Sequence, residues 1–442
     1  MARPTFAFLA DFVQAITRTD RVSDRAGRRP IDDKATQKAL ARPAPQRLAA
    51  ACDVLMDRIG DAARVAVAEQ ALAAYAELDA PQRRAFFTRL RDGFDADPAR
   101  VRAAFAAYDA APSAETLVPL FDAVEPPRQT LLRRLNTAPG ATLRLVGMRA
   151  DLLTAMRTDS ALAPIDADFA HLFQSWFNRG FLRMERIDWS TPASVLEKIM
   201  GYETVHPMKG WTDLRRRLDP ADRRFYAFFH PATGDEPLIF VEVALMRGTP
   251  AEIAPILEAP RGIEDEDATT AVFYSINNTL KGLRGVSFGN FLIKQVVAEL
   301  AAELPMLTTF VTLSPAPDFA AWLAKDDPAL SRTLTTASWR DDPAEADRLR
   351  PQVEAAAARY FTTARNPSGA PRDAVARFHL GNGAAAWRVN WPGDLSDGAV
   401  ARAHGLMINY LYEPAAIEAQ HEAFVRDGTI ATGAPMAAIL SR

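Results

Sequence analysis

Cysteine is almost absent from this chain of 442 residues, which holds a single one, Cys52. One cysteine cannot form an intramolecular disulfide, and it leaves no thiolate cluster of the kind that binds structural zinc. Long apolar runs are missing too, because no stretch approaches the roughly 20 residues that a membrane-spanning helix needs. These absences favour a cytoplasmic protein with no membrane partner.

Neither sign of charge is in excess, because 52 Lys and Arg face 55 Asp and Glu for a formal net charge of -3. A nucleic-acid partner is therefore not expected, since such proteins carry a strong basic excess. Residues 1–29 mix arginines with aspartates, which is typical of neither a transit peptide nor a secretory signal. The six histidines have no metal-ligand spacing, so no metal site is expected.

The first part of the chain, residues 1–178, reads as helices. Apolar residues recur at helical spacing in the Ala-rich stretches 46–59 and 62–78. Capping residues Asp97 and Ser113 mark the starts of two more helices. Helical bundles of this kind more often mediate assembly or cover a site than perform chemistry. We therefore predict an N-terminal all-α helical domain for oligomerisation over residues 1–178.

Residues 179–442 change to a strand-like pattern, and we predict a second domain there. Predicted strands and one helix alternate in a way that is typical of α/β or α+β layers. The strands are predicted at 181–187, 224–229, 237–246, 271–276, 307–313, 385–391 and 406–412, and the helix at 288–303.

A glycine-spaced segment, here named the glycine loop (residues 282–290), joins the strand at 271–276 to the helix at 288–303. Glycines allow close backbone approach to a ligand, and the first turn of a helix favours a phosphate. Arg284 would add charge-assisted hydrogen bonds to phosphate oxygens. The spacing fits neither the Walker loop nor the dinucleotide fingerprint. Phosphate binding and a plain strand-to-helix turn therefore both stay open.

Two residues outside the loop are candidates for chemistry. Ser314 precedes Pro315 at the end of a predicted strand, where ligand crevices in α/β sheets lie, although Ser-Pro is also common in plain turns. His379 lies among apolar and small residues just before another strand. Taken alone, such a histidine is more often a structural group than a catalytic one.

Several short segments, taken in order between residues 173 and 412, resemble the malonyl-CoA decarboxylase family. Ordered matches are together far more specific than any one of them. The segments include Val205-His206-Pro207, Tyr274-Ser275-Ile276, Gly285-Val286, Gly289 with Phe291 to Lys294, Leu313-Ser314-Pro315, Phe378-His379-Leu380, Trp387-Arg388 and Asn409-Tyr410 with Tyr412.

The resemblance implies an α+β protein with an N-terminal helical domain that self-assembles, as a homodimer or homotetramer, and a GNAT-like CoA-binding catalytic domain. Ser314, His379 and Tyr412 match the family's catalytic positions. Ser287 is a departure, because relatives commonly carry an acidic residue at that position. The implied substrate or CoA contacts are Ser275, Arg284, Gly285, Val286, Ser287, Phe288, Gly289 and Asn290.

The implied reaction converts malonyl-CoA to acetyl-CoA and CO2. Loss of CO2 leaves an enolate on the thioester, so no metal, biotin or pyridoxal cofactor is expected. His379, with an ordinary pKa near 6.5, is expected to protonate the enolate, and Ser314 to contact the departing carboxylate or relay the proton. Backbone N–H groups near the glycine loop, Asn277 and Asn278 all remain open as oxyanion donors.

Two other functions fit the same sequence. A GNAT-type acyltransferase would use the same CoA cradle but would pass the acyl group to an amine acceptor. A helical scaffold with a non-catalytic CoA fold is the third possibility, and Ser287 is its main support.

Overall fold

A computed structural model of the chain describes residues 42–57, 59–258, 267–286 and 289–442. The chain divides into two compact units. Among the described residues, the helical unit comprises those between 42 and 178 together with 280–286, and the sheet unit comprises those between 179 and 279 together with 289–442. A short segment of the glycine loop thus belongs with the helices and not with the sheet.

The helical unit is built from helices whose starts are visible in the sequence. Asp79 and Ser113 each begin a helix with a capping box, in which side chains at both ends of the first turn satisfy free backbone N–H groups. Within its described residues the unit contains α1 (Ala44–Met56), α2 (Asp61–Ala76), α3 (Ala80–Gly93), α4 (Pro98–Ala110), α5 (Ala114–Val124), α6 (Pro127–Leu135), α7 (Ala141–Ala155) and α8 (Ala163–Trp176).

Gly282 lies directly against helix α7 in the helical unit. A Cβ atom at this position would lie 1.8 Å from the carbonyl oxygen of Val146. Real Cβ atoms do not approach backbone this closely, so only glycine fits here without displacing the helix or the turn. This contact explains why the turn packs with the helices.

The sheet unit is organised around one mixed sheet. Its strands are β1 (Arg183–Arg186), β2 (Arg223–Phe229), β3 (Pro237–Met246), β4 (Thr270–Asn278), β5 (Thr309–Thr312), β6 (Ser314–Pro315), β7 (Ala385–Asn390) and β8 (Met407–Tyr412). The strand order is β1-β2-β3-β4-β5-β8-β6, and β7 also pairs with β8. Strands β1 to β4 are antiparallel neighbours, β4 and β5 are parallel, and all pairs with β8 are antiparallel.

Strand β4 changes course in its middle. Its register with β3 shifts so that Tyr274 is an extra residue between the paired positions Phe273 and Ser275. Its parallel pairing with β5 runs from Thr270 to Phe273. A bulge of this kind bends a strand and redirects its side chains, and bulges are frequent beside active sites.

In chain order, helices separate and follow the strands of the sheet unit. The helix that carries His379, α16 (Ala374–Gly381), follows a long helix, α15 (Pro343–Thr362), whose start is capped by Asp342. The described helices are α9 (Ala193–Tyr202), α10 (Trp211–Leu218), α11 (Ala254–Glu258), α12 (Gly289–Glu303), α13 (Phe319–Asp326), α14 (Pro328–Thr335), α15 (Pro343–Thr362), α16 (Ala374–Gly381), α17 (Asp397–Ala403), α18 (Ile417–Asp427) and α19 (Ala434–Leu440).

The predicted fold class is confirmed in its layout: an all-α part precedes a part built on a mixed sheet with helices. Each predicted strand is present, with ends that differ by a few residues. The segment from 319 to 362, for which the sequence predicted no elements, forms helices α13 to α15. Among the described residues, no helix combines the length and apolarity that a bilayer crossing requires.

Candidate active site

Ser314 and His379 meet inside the sheet unit although 65 positions separate them in sequence. Ser314 begins β6, and His379 lies in the last turn of α16. The Ser314 Oγ and His379 Nε2 atoms are 3.2 Å apart and form a hydrogen bond. Both residues are buried. The structure therefore brings together the serine and the histidine that the sequence singled out.

Tyr412 completes this group from the end of β8. Its phenolic oxygen lies 2.8 Å from His379 Nδ1, so both ring nitrogens of the histidine are hydrogen-bonded. Burial raises the pKa of Tyr412 well above its usual range, and the phenol is neutral. We call Ser314, His379 and Tyr412 the Ser–His–Tyr cluster.

The position of His379 is fixed by the residues around it. Asp373 caps α16 by accepting a hydrogen bond from the Ala376 amide at 2.8 Å, and Tyr360 donates its hydroxyl to the same carboxylate at 2.9 Å. The ring of Tyr410 stacks on the imidazole at a centroid distance of 4.6 Å. The helix start and the stacked ring together hold the imidazole in one orientation.

Burial lowers the pKa of His379 to about 3, because the imidazolium form is strongly disfavoured away from water. The sequence led us to expect an ordinary pKa near 6.5. That expectation is wrong for this site. At neutral pH His379 is an uncharged imidazole, so any proton that it transfers must be replaced at its other nitrogen.

Thr312 is a member of the site that sequence reasoning missed. The Ser314 hydroxyl donates to Thr312 Oγ1 at 2.8 Å, and the Tyr410 amide donates to the same oxygen at 3.1 Å. Thr312 is fully buried. Residues two apart along an extended chain share a face, so the spacing of Thr312 and Ser314 was an available signal.

Ser275 lies on β4 in a separate buried network. Its hydroxyl donates to Glu203 at 2.7 Å, and the Asn277 amide donates both to Glu203 and to the Ser275 oxygen, each at 2.8 Å. The amide oxygen of Asn277 accepts two more hydrogen bonds, from the amide and the hydroxyl of Thr204. The polar atoms of Asn277 are thus engaged within the protein, whereas Asn278 is exposed.

Glu203 is one of two carboxyls in this network, and Arg217 lies between them. Burial raises the pKa of Glu242 well above its usual range despite the Arg217 guanidinium, which donates to both Glu242 oxygens at 3.1 Å. Burial also opposes ionisation of Glu203, but hydrogen bonds from Glu242, His206 and Ser275 outweigh it and lower the pKa. One ionised carboxylate therefore balances one guanidinium, which allows the group to be buried.

The described part of the glycine loop is held by the helical unit. Arg149 on α7 donates from one guanidinium nitrogen to the carbonyl oxygens of Gly282 at 2.8 Å and Arg284 at 2.9 Å. Its Nε pairs with Asp166 at 2.7 Å. The sequence did not single out Arg149, because no helical pattern marks an arginine that hydrogen-bonds a residue 133 positions away, here Gly282.

The predicted CoA contacts within the loop fall in different places. Arg284 is exposed, Gly285 has a φ of 79°, and Val286 is buried. Ser287 and Phe288 lie outside the described residues. The last two predicted contacts, Gly289 and Asn290, begin helix α12.

No group of three or more His, Cys, Asp or Glu side chains is arranged as metal ligands would be, within the part of the chain that the structure describes. The hydrogen-bonded groups of the Ser–His–Tyr cluster are all neutral. Such a site can pass protons between a hydroxyl, an imidazole and a phenol while the imidazole stays uncharged.

Comparison with known families covers most of the chain. Residues 180–442 match the malonyl-CoA decarboxylase C-terminal domain, and residues 94–177 match the malonyl-CoA decarboxylase N-terminal domain. The boundary between the two matches lies next to the boundary at residue 178 between the two units.

Individual relatives carry the same name. The mitochondrial malonyl-CoA decarboxylase of Rattus norvegicus is 33% identical over 379 residues, which are 76% of this chain and 77% of the rat protein. The goose protein, from Anser anser anser, is 34% identical over 324 residues, which are 65% of this chain and 64% of that protein.

Solved structures extend the comparison. Malonyl-CoA decarboxylase from Rhodopseudomonas palustris has 51% identity and a TM-score of 0.85, with 89% of this chain and 98% of that chain covered. The protein from Agrobacterium vitis has 47% identity and a TM-score of 0.84, with 89% and 100% covered.

The two domains and these relatives make the chain an enzyme of the carbon–carbon lyase class, specifically a carboxy-lyase. The chain belongs to the malonyl-CoA decarboxylase family.

Proposed function

We propose that this enzyme converts malonyl-CoA to acetyl-CoA and CO2. The observation that carries the proposal is the hydrogen-bonded Ser–His–Tyr cluster, buried in a chain of this family. Decarboxylation requires a site that protonates a carbanion while excluding competing water, and buried neutral donors suit that requirement.

The glycine loop is the proposed CoA contact. Arg284 is exposed and is available to meet a phosphate, and the start of helix α12 at Gly289 favours an anion. Arg149 holds the carbonyl groups of Gly282 and Arg284, which supports a loop shape that is set by the protein. Contacts of CoA with Val286, Ser287, Phe288, Asn290 and Ser275 stay predictions of the family resemblance.

The reaction begins when the bond between the carboxylate carbon and the α-carbon breaks. CO2 leaves, and the electron pair stays as an enolate whose charge lies on the thioester oxygen. Backbone N–H groups near the glycine loop, or the exposed Asn278, are the proposed donors to that oxygen, since Asn277 is engaged by Glu203, Ser275 and Thr204. The thioester is the electron sink, so the proposal includes no metal or organic cofactor.

Protonation of the α-carbon completes the reaction. Ser314 gives its hydroxyl proton to the carbon, and His379 returns a proton to Ser314 from Nε2. Tyr412 supplies a proton to Nδ1, so the imidazole stays neutral, in keeping with its low pKa, and is left in the Nδ1–H form beside an ionised phenol. One proton from solvent then enters at Ser314, whose own proton passes to Nε2 while Nδ1 returns its proton to Tyr412, and the starting state is restored.

The decisive experiment measures CO2 release from carboxyl-labelled malonyl-CoA by the purified protein with no other additive. We expect release of labelled CO2 and formation of equimolar acetyl-CoA. An enzyme that stays inert until an amine acceptor is added would be an acyltransferase instead. A protein that binds no acyl-CoA in calorimetry would be a scaffold. Retention of turnover after dialysis against a chelator would support the absence of a metal.

Self-association is the proposed role of one surface of the helical unit. Helices α4 and α5 carry exposed apolar side chains, among them Phe105, Leu117, Val118 and Phe121 at 55%, 48%, 59% and 68% exposure. Exposed large apolar side chains on two neighbouring helices are typical of protein interfaces. We propose that a second copy of this chain covers it, in a homodimer or homotetramer, and light scattering of Phe121→Ser against the parent protein tests this.

A further inference from the structure

Thr312 holds a hydroxyl oxygen at the end of β5 that two groups approach. The Tyr410 backbone amide donates to it at 3.1 Å, and the Ser314 hydroxyl donates to it at 2.8 Å. An amide N–H can only donate, so the threonine oxygen acts as an acceptor in that contact. The Ser314 contact adds a second donor, and a hydroxyl oxygen has two lone pairs to receive both.

The direction of the Ser314 hydrogen bond has a consequence for His379. A serine hydroxyl carries one hydrogen, and here it is directed to Thr312. The Ser314 oxygen can therefore only accept in its 3.2 Å contact with His379 Nε2, which means that Nε2 carries the ring proton. Nδ1 of a neutral imidazole is then an acceptor, and the Tyr412 hydroxyl, 2.8 Å away, must be its donor.

We infer that Thr312 is a positioning residue that sets the direction of every hydrogen bond in the Ser–His–Tyr cluster. By accepting the Ser314 proton it selects the Nε2–H tautomer of His379 and makes Tyr412 the donor at the far end. This inference rests on the proposed function for its effect on turnover, but its statement about the tautomer does not require a substrate.

The threonine is itself held by a polar network that reaches the opposite side of β8. Asn409 donates to the Thr312 carbonyl oxygen at 2.7 Å and accepts from Arg388 Nε at 3.0 Å. Arg388 in turn donates to the carbonyl oxygens of Thr249 at 3.1 Å and Pro250 at 2.7 Å. These bonds fix the strand end, so the Thr312 hydroxyl stays where Ser314 and Tyr410 need it.

The direction of these hydrogen bonds matters because the opposite direction would reverse the path of the proton. Without an acceptor at position 312, the Ser314 hydroxyl turns its hydrogen toward Nε2, and the imidazole takes the Nδ1–H form with Tyr412 as acceptor. Protons would then be drawn from Ser314 toward Tyr412 and away from the α-carbon. The arrangement with Thr312 instead makes Tyr412 donate to His379 and His379 donate to Ser314, which is the proposed proton donor to the α-carbon.

The test compares Thr312→Val, which keeps the shape but lacks the hydroxyl, with Thr312→Ser, which keeps the hydroxyl. We expect kcat for malonyl-CoA to fall about 10- to 100-fold in Thr312→Val, with KM unchanged, and to stay within about threefold in Thr312→Ser. Thr233→Val is the matched control, because Thr233 is a buried threonine whose hydroxyl donates to a backbone oxygen, that of His230, at 3.0 Å.

The tautomer of His379, measured from its 15N chemical shifts in the free protein, distinguishes a positioning role of Thr312 from a purely structural one, which would leave the tautomer unchanged. His379→Asn identifies the signal among the six histidines. We expect Nε2–H in the parent protein and in Thr312→Ser, and Nδ1–H in Thr312→Val. An Nδ1–H tautomer in the parent protein overturns the inference. So does a slowed Thr312→Val that keeps the parent tautomer.

The two proposals fail separately. A parent protein that shows the Nε2–H tautomer but releases no CO2 from malonyl-CoA refutes the proposed function and leaves the role of Thr312 standing. A parent protein that decarboxylates malonyl-CoA but has an Nδ1–H imidazole supports the proposed function and refutes the role of Thr312. If Thr312→Val does not fold, the tautomer of the parent protein and of Thr312→Ser still decides the matter.

Discussion

The Ser–His–Tyr cluster and the glycine loop are held by different parts of the chain. The cluster takes its contacts from the sheet unit, where strand ends and the start of α16 place neutral, buried groups. The described part of the loop takes its contacts from α7 of the helical unit, where a charged side chain, Arg149, grips its carbonyl groups. If the cluster performs the chemistry and the loop contacts CoA, as proposed, the two roles have separate supports, and variants should affect kcat and KM separately.

The largest expected effect is on the cluster. His379→Asn and Ser314→Ala should each lower kcat by on the order of 10²- to 10⁴-fold, because each removes a group of the proton relay. Steady-state CO2 release gives kcat, and circular dichroism checks that the variants stay folded. Near-parental turnover in either folded variant would show that its residue has no part in protonation.

The next effect is the pH dependence of stability. The folded pKa of His379 is about 3, below the unfolded value near 6.5, so the unfolded state binds the extra proton between these values. The stabilisation is complete above pH 6.5 and is lost as pH falls toward 3. Relative to His379→Asn, the parent protein should lose about 2 to 3 kcal/mol of unfolding free energy between pH 7 and pH 4.5.

Urea unfolding of both proteins across this range measures the difference. Equal slopes for the parent protein and His379→Asn would show that the imidazole titrates near its ordinary pKa when folded. In that case an imidazolium would be accessible near neutral pH, and the low pKa would no longer support the neutral relay.

Changes at Arg149 should affect the glycine loop, and therefore KM and not kcat. Arg149→Met keeps the aliphatic stem but removes the donors to Gly282 and Arg284, and hydrogen bonds from a charged group contribute about 1.5 to 3 kcal/mol each. We expect KM for malonyl-CoA to rise about tenfold, with kcat within about twofold, since packing of Gly282 partly compensates. If Arg149→Met lowers kcat by the same factor as kcat/KM, the proposal that the loop affects KM separately from kcat is wrong.

Arg144 provides the matched control for Arg149. It lies on the same helix and pairs at the surface with Glu69 at 2.8 Å. Surface ion pairs contribute little, so Arg144→Met should leave KM within about twofold and stability within about 1 kcal/mol of the parent protein.

The smallest expected kinetic effect is that of Ser275→Ala. The Ser275 hydroxyl is committed to Glu203, so its loss should lower the unfolding free energy by about 1 to 3 kcal/mol while kcat and KM stay within about threefold. Thermal unfolding and steady-state kinetics check both values. A tenfold rise in KM would instead support the CoA contact that the family resemblance predicts for Ser275.

The sequence predicted the strands and the three members of the Ser–His–Tyr cluster for different reasons. Strands such as β3 have long apolar runs bounded by turns, and their predicted bounds, 237–246, match the structure. Ser314, His379 and Tyr412 came from ordered family motifs, because each alone had a common structural explanation. Their mutual hydrogen bonds depend on strand pairing far apart in the chain, which no local pattern contains.

Other features were out of reach of the sequence for physical reasons. The low pKa of His379 results from complete burial, which depends on Tyr410, Tyr412 and the packing around them. Arg149 resembles any other arginine on an amphipathic helix until Gly282 is seen against it. Helices α9 and α10 begin without side-chain caps, so their starts gave no signal.

The close fit of Gly282 against Val146 limits how this enzyme can be re-engineered. The backbone at Gly282 packs against the Val146 carbonyl oxygen of α7 so closely that no side chain fits between them. Grafting the loop of a relative to alter acyl-CoA preference would therefore fail unless the matching stretch of α7 were transplanted with it. In this chain the helical unit shapes residues 280–286, which include part of the loop that we propose as the CoA contact.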